Sequence, residues 1–368
     1  MVQIQRNIPW AQPVLWGNEK KYVDQALTST WISGGPFVER MEKEFAEYCG
    51  SQFALATSNG TTALHMACLA LGLGPGDEMI VPGFCFLAAA NLALHVGATP
   101  VFAEVDPKTW CLTASAIEKC ITEKTKVIVP VHTYGNMCQM DEILDLAKLH
   151  HIAVLEDAAE AFASCYKGMY AGTFGDIGTF SFHATKTITT GEGGMVITNS
   201  KNLLQKMKLF QSHGMLRKTY YWHELPGHNF RLTNLQAGLG CAQMEHLVSI
   251  IRERQRIHQQ YKLHLKKATG MAIQYFPTEV GPVLWAMAVK LDTLAYPQGR
   301  DMVMGEMMEV GIETRPGFYT PRNFSYLQSK VLPICEEIST QTISLPTFCS
   351  LTDEQIEFIC QQLIKLKR

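Results

Sequence analysis

The feature that most constrains this chain is a series of seven short β-type segments between residues 53 and 200, most of them separated by helical patterns. The strand candidates are 53–57, 79–81, 101–104, 127–131, 152–155, 178–182 and 195–198. Helical periodicity occupies 62–71, 87–95, 114–120 and 140–150, whereas the last three strands follow one another with no full helix between them. Such alternation predicts an α/β fold, a mostly parallel, twisted sheet with helices on both faces. Ligands of such sheets gather at the carboxyl ends of the strands, where Asp157 and the Gly60 turn fall.

Beyond residue 200 the pattern changes. Residues 201–212 and 235–266 read as helices, the second long enough to bridge two domains. A run at 283–291, a helical 300–310, a Pro- and aromatic-rich loop at 315–326 and a final helix at 352–367 suggest a smaller α+β domain. The expected division is a large domain over 1–245 and a small one over 246–368, with the long helix at the junction. A chain of 368 residues is long enough to bury two such cores.

Charge narrows the function classes. With 32 Lys and Arg against 34 Asp and Glu, the chain lacks the basic surplus of a nucleic-acid binder. No segment reaches the length of a membrane span, and the first residues lack the apolar stretch of a signal peptide. The eleven cysteines are dispersed without a Cys-x-x-Cys pair, and several sit inside apolar helical patterns. They read as small core residues of a reducing cytoplasm, with no metal site.

The chemistry concentrates in Phe180-Ser181-Phe182-His183-Ala184-Thr185-Lys186, which leads into Thr189-Thr190-Gly191-Glu192-Gly193-Gly194. Upstream, Ile152-Ala153-Val154-Leu155 ends in Glu156-Asp157-Ala158-Ala159-Glu160. A lysine and an aspartate at strand ends of one α/β sheet are what a pyridoxal phosphate enzyme needs: an amine for the aldehyde and a carboxylate for the protonated pyridine nitrogen. Ser58-Asn59-Gly60-Thr61-Thr62 opens a helix after a strand, as either a phosphate site or an ordinary cap. Ser181 is placed to add a phosphate hydrogen bond. Within Pro82-Gly83-Phe84-Cys85-Phe86, one phenylalanine either stacks on a flat ring or both pack in the core. Gly227-His228-Asn229-Phe230-Arg231-Leu232-Thr233-Asn234 is too polar for core and reads as a solvated loop or a binding element.

As a set, these motifs resemble the pyridoxal phosphate-dependent sugar-nucleotide aminotransferases of the DegT/StrS type, which have the aspartate aminotransferase fold (fold type I). The resemblance covers nearly the whole chain, from Gly17-Asn18-Glu19 and Trp31-Ile32-Ser33-Gly34-Gly35-Pro36-Phe37 to Gly311-Ile312-Glu313-Thr314-Arg315-Pro316. It implies that Lys186 is the Schiff-base lysine and Asp157 the partner of the pyridine nitrogen. Glu160 then faces the ring hydroxyl, and Phe86 stacks on the ring. Gly60, Thr61, Thr62 and Ser181 form the phosphate site, and Asn229 reaches the phosphate of the neighbouring subunit in a homodimer with shared active sites.

The same resemblance is strongest to the perosamine-forming branch. It implies a nucleotide-linked 4-keto-6-deoxy sugar as substrate, GDP-4-keto-6-deoxymannose first, with glutamate as amino donor and 2-oxoglutarate as its product. UDP- or dTDP-linked hexoses are the alternative, and a dehydratase, a lyase or a non-catalytic regulator of the same fold are the rivals. Trp31, Arg315, Phe318 and Tyr319 are the candidate substrate contacts, since a diphosphate and a flat base call for a cation and aromatic faces. The chain departs from the family at Ala184-Thr185, at His183 and at Cys85, all close to the cofactor.

Overall fold

All seven expected segments pair in one sheet of the computed structural model, which describes residues 7–215, 219 and 221–368. The strands β1 (Phe53–Thr57), β2 (Glu78–Pro82), β3 (Thr99–Ala103), β4 (Thr125–Ile128), β5 (Ala153–Asp157), β6 (Ile177–Ser181) and β7 (Gly194–Thr198) lie in the order β1-β7-β6-β5-β4-β2-β3. Pairings from β6 through β5, β4 and β2 to β3 are parallel, and β7 is antiparallel to both its neighbours. A parallel return needs a crossover, usually a helix. The β6–β7 connection has no helix, so β7 folds back on β6, and Lys186 lies in the loop that joins them.

Both faces of the sheet are covered, which explains why the strands read as apolar runs. Side chains alternate between two cores: Leu55, Met79, Val81, Val127, Leu155 and Val196 face one, and Ala56, Ile80, Ile128, Val154, Met195 and Ile197 face the other. Helices Gly60–Ala70, Ala88–His95 and Lys201–Gln211 pack on the first face; Pro36–Cys49, Met140–Leu149 and Asn234–Glu245 pack on the second.

The single helix expected over 235–266 is two helices, Asn234–Glu245 and Leu247–Leu265, broken at His246. No Pro or Gly marks the break. The first helix is held in the second sheet core, the second runs towards a different core, and Trp16 stacks on His246 at the corner (6.1 Å between centroids). That third core lines a separate antiparallel sheet of β8 (Met271–Ile273), β9 (Met287–Leu291), β10 (Arg315–Pro316) and β11 (Thr342–Leu345), ordered β8-β9-β11-β10. Ile257, Tyr261, Val289, Ile343, Leu345, Ile356 and Leu363 fill it.

Of the apolar run expected at 283–291, only Met287–Leu291 is strand. The residues before it turn towards the large sheet and bring Trp285 to Lys186. Helices Glu19–Thr28, Pro36–Cys49 and Pro333–Gln341 lie outside the segments read from sequence. Near the N-terminus, Ile8 bridges to Ile312 and the Thr347 N–H donates to the Trp10 carbonyl (3.0 Å), so this strip packs against the smaller sheet.

Candidate active site

Asp157 ends β5 with its side chain only 5 % exposed. Its carboxylate accepts the Ala159 N–H (3.0 Å), while burial pushes its pKa up against the pull of Lys186 and His132. Three residues on, buried Glu160 accepts the backbone N–H of Tyr134 (2.7 Å). Burial raises the Glu160 carboxyl to about 7; Lys186 and the Tyr134 bond oppose the rise, and Asp157 adds to it. Tyr134 holds a left-handed backbone (φ 59°), an uncommon conformation for such a residue, which turns its N–H onto Glu160.

Lys186 faces these two carboxylates. The Lys186 N–H donates to the His183 carbonyl (2.9 Å), and the loop is pinned by Phe182 N–H to Gly193 O (2.7 Å) and Thr190 N–H to Phe182 O (3.0 Å). The Lys186 Nζ sits 3.7 Å from the centroid of the Trp285 ring, a cation–π contact. Burial pushes the amine's pKa down, opposed by Glu160 and Asp157. A lysine whose neutral form is favoured is a nucleophile, and two nearby carboxylates can take or return its proton.

Next to β6 lies the start of helix Gly60–Ala70. Asn59 caps it: its Oδ1 accepts the Thr62 N–H (2.8 Å), and Thr62 Oγ1 donates to the Asn59 carbonyl (2.8 Å) and accepts the Asn59 N–H (3.1 Å). The Thr62 hydroxyl is thus engaged in the cap, whereas Thr61 faces solvent. A Cβ on Gly60 would lie 2.8 Å from Ser181 Cβ, so only glycine lets the helix start approach the end of β6 this closely. The result is a positive helix end whose first N–H groups lie beside the Ser181 side chain.

The two phenylalanines of the 82–86 turn separate. Phe84 is buried against Trp110, Tyr134 and Phe318, whereas Phe86 is 60 % exposed with its ring edge-on to Phe318 (6.3 Å). Phe318 stacks on Tyr134 (5.1 Å, 10°) and lies parallel to Trp285 (6.3 Å, 6°), which joins it to the wall above Lys186. Arg315 pairs with Glu313 and lies over Trp10 (5.9 Å), whose ring meets Trp285 edge-on (5.4 Å). Tyr319 covers the Arg300 guanidinium (5.3 Å).

Two residues singled out from sequence stand apart within one chain. Trp31 is 65 % exposed, its carbonyl accepting Asn234 Nδ2 (2.7 Å). Asn229 is exposed on an extended segment that bridges to Ser212 and is fixed by the Ser58 N–H to Phe230 O bond (2.8 Å). Among the described contacts, neither touches the Lys186 group.

Sequence reasoning passed over Trp285, Tyr134, Arg254 and the Glu156–His132 pair. Glu156, alternating with Asp157 onto the opposite side of β5, accepts four donors: His132 Nε2 (2.9 Å) and the N–H groups of Gly172 (2.9 Å), Phe174 (2.7 Å) and Gly175 (2.7 Å). The Cys138 N–H donates to His132 Nδ1 (3.3 Å), which assigns the imidazole proton to Nε2. One signal was available for Arg254: it occupies the apolar stripe Ile250, Ile257, Tyr261 of its helix, where a solvated arginine does not belong.

The sequence pattern of the DegT/DnrJ/EryC1/StrS aminotransferase family matches residues 14–364. The chain is 42 % identical over 359 residues to the GDP-perosamine synthase of Escherichia coli O157:H7, covering 97 % of each protein. It is 41 % identical over 358 residues to the GDP-perosamine synthase of Caulobacter vibrioides, covering 96 % of each. Among solved structures, the aminotransferase TlmJ from Streptoalloteichus hindustanus superposes with a TM-score of 0.92 at 28 % identity, over 98 % of both chains.

Proposed function

Because this chain belongs to the DegT/DnrJ/EryC1/StrS aminotransferase family, a family of pyridoxal phosphate-dependent enzymes, we propose that it transfers the amino group of glutamate to GDP-4-keto-6-deoxymannose, forming GDP-perosamine. The observation that carries the reading is Lys186, set between Asp157, Glu160 and the Trp285 face, in a chain matched along nearly its whole length by GDP-perosamine synthases.

The residues fit the cofactor. The start of the helix at Gly60, held close to Ser181, has the donor character for a phosphate, offered by the Gly60 and Thr61 N–H groups and the Ser181 hydroxyl, with the Thr62 cap aiming the helix. Asp157, buried with one hydrogen bond, has a lone pair left for a pyridinium N–H. We assign Glu160, buried near Lys186 and Asp157, to the ring hydroxyl and exposed Phe86 to a ring face. Bound there, pyridoxal phosphate supplies an electron sink for the carbon that loses its proton. Asp157 would hold the ring proton and so keep that sink charged. Lys186, whose neutral form burial favours, would be the amine that holds the aldehyde and, when free, the base able to take and return a proton at the reacting carbon. One site serves both substrates in turn, so the cycle is ping-pong. The aromatic wall of Trp285, Tyr134 and Phe318 keeps water from the amine.

Arg315, with Phe318 and Tyr319, is our candidate for the nucleotide diphosphate, and Trp31 for a further aromatic face. We place Asn229 in the partner's phosphate site of a homodimer, since it has no part in its own chain's Lys186 group. We take 1–245 as the cofactor domain and 246–368 as the small domain. Among the described residues no helix is long and apolar enough to cross a membrane. Eleven free cysteines support a reducing cytoplasm as the place of work.

Competition kinetics test the substrate. GDP-4-keto-6-deoxymannose is expected to give the largest kcat/KM, and Arg315→Ala to impair sugar-nucleotide use more than the glutamate half-reaction. A clear preference for a UDP- or dTDP-linked sugar would overturn the reading, and equal loss in both half-reactions would remove Arg315 from it.

A further inference from the structure

Arg254 is a buried cation without an anion. It sits in helix Leu247–Leu265 at 4 % exposure, and no described carboxylate forms an ion pair with it. Instead its guanidinium spans two segments: Nη2 donates to the carbonyl of Lys186 (3.0 Å), and Nη1 to those of Leu284 (2.8 Å) and Trp285 (3.2 Å). Its Nε–H has no partner. Trp285 is held from its other end as well, its indole N–H donating to Thr185 O (3.1 Å). The lysine loop and the tryptophan wall are therefore tied through one guanidinium on one side and one indole on the other.

An interior lock of this kind needs only neutral donors. A full charge buried without a carboxylate is costly to keep and serves no packing purpose that an amide would not serve. We propose that Arg254 is a positioning residue for Lys186, fixing the lysine against the Trp285 face and placing an unpaired positive charge beside it that favours the neutral amine. The groups facing Lys186 are Asp157 and Glu160, which favour the ammonium, and Arg254, which opposes it; Arg254 itself faces Lys186 and Cys349. The inference rests on the reading of Lys186 as the cofactor lysine, yet the amine titrates without cofactor, so the two fail separately.

The test is the pH dependence of Lys186 acetylation in cofactor-free protein, followed on the Lys186 peptide by mass spectrometry. Arg254→Gln, which keeps N–H donors for the backbone carbonyls and drops the charge, is expected to raise the midpoint by about one pH unit, a roughly tenfold change in acidity; Arg254→Lys is expected to stay near wild type. Arg254→Met replaces the glutamine variant if that does not fold. A purely structural arginine would lower the melting temperature and leave the midpoint unmoved, or shift it alike in Gln and Lys variants, and either result overturns the proposal. Borohydride reduction of the cofactor-loaded protein reports on the underlying reading alone: an adduct on another lysine overturns that reading, whereas the acetylation midpoints decide the Arg254 proposal.

Discussion

Glu156 and Asp157 are adjacent in sequence and opposite in task, and substituting them one at a time should separate stability from catalysis. In Glu156→Gln one carboxylate oxygen becomes an NH2 group. The remaining oxygen can still accept two of the four donors, such as Phe174 and Gly175, but the amide nitrogen then faces the Gly172 N–H and His132 Nε2–H, which are also donors. His132 cannot simply move its proton, because its Nδ1 already accepts from Cys138. Two buried donors are orphaned, at about 1–3 kcal/mol each, so the loss is roughly 2–6 kcal/mol. At roughly 2 °C per kcal/mol for a chain of this length, the melting temperature should fall by about 4 °C or more. A chain with two cores need not unfold in two states, so the assay compares melting midpoints by circular dichroism and extracts no free energy. Asp157→Asn keeps an oxygen for Ala159 and removes a buried charge, so its midpoint should stay near wild type while turnover falls at least about a hundredfold, the scale of losing a fixed charge at the reacting group. A Glu156→Gln protein that melts with wild type would refute the four-donor account. An active Asp157→Asn protein would reduce Asp157 to a turn residue that holds the Ala159 N–H.

Three further outcomes follow from the same geometry. The Glu160 carboxyl, raised by burial to about 7, adds stability that is complete below its unfolded value near 4.5 and is lost as pH rises through 7; Glu160→Gln in the cofactor-free protein should therefore flatten the melting profile across that window and melt above wild type at pH 8, which thermal scans over pH would show. Gly60→Ala drives a Cβ to 2.8 Å from Ser181 Cβ and should weaken cofactor binding by roughly tenfold, about 1.4 kcal/mol, read by fluorescence titration; an unchanged Kd would remove this helix start from the phosphate site. Mixing Lys186→Ala with Asn229→Ala should restore activity, because mixed dimers then carry one intact site, and failure despite proven subunit exchange would confine Asn229 to its own chain.

The large sheet was legible in sequence because its strands are buried on both faces and separated by helices or turns, signals that survive without knowledge of neighbours. Lys186 and Asp157 were singled out because strand ends in such a sheet share one edge, and Glu160 because of the family resemblance; the structure brings the three together. The smaller sheet was not: Met271–Ile273 and Arg315–Pro316 are too short to show alternation and exist through pairing with distant strands. The break at His246 was hidden because every residue there suits a helix, and the corner is imposed by two cores pulling the chain in different directions. Trp285 looked like core in an apolar run, and only the turn ahead of Met287–Leu291 lays it over Lys186. Glu156 was masked by its neighbour, since nothing in Glu-Asp-Ala-Ala-Glu says which carboxylate faces the site and which clamps a loop.

The most direct test of the central claim is the fate of the amino nitrogen. Purified protein loaded with pyridoxal phosphate is given glutamate labelled in its amino nitrogen, together with GDP-4-keto-6-deoxymannose, and the nucleotide sugar is analysed by mass spectrometry. The account predicts a GDP-linked 4-amino sugar carrying the label, one 2-oxoglutarate for each, and neither product from Lys186→Ala. A nucleotide sugar that loses its hydroxyl without gaining the labelled nitrogen, or labelled product formed equally well by Lys186→Ala, would contradict it.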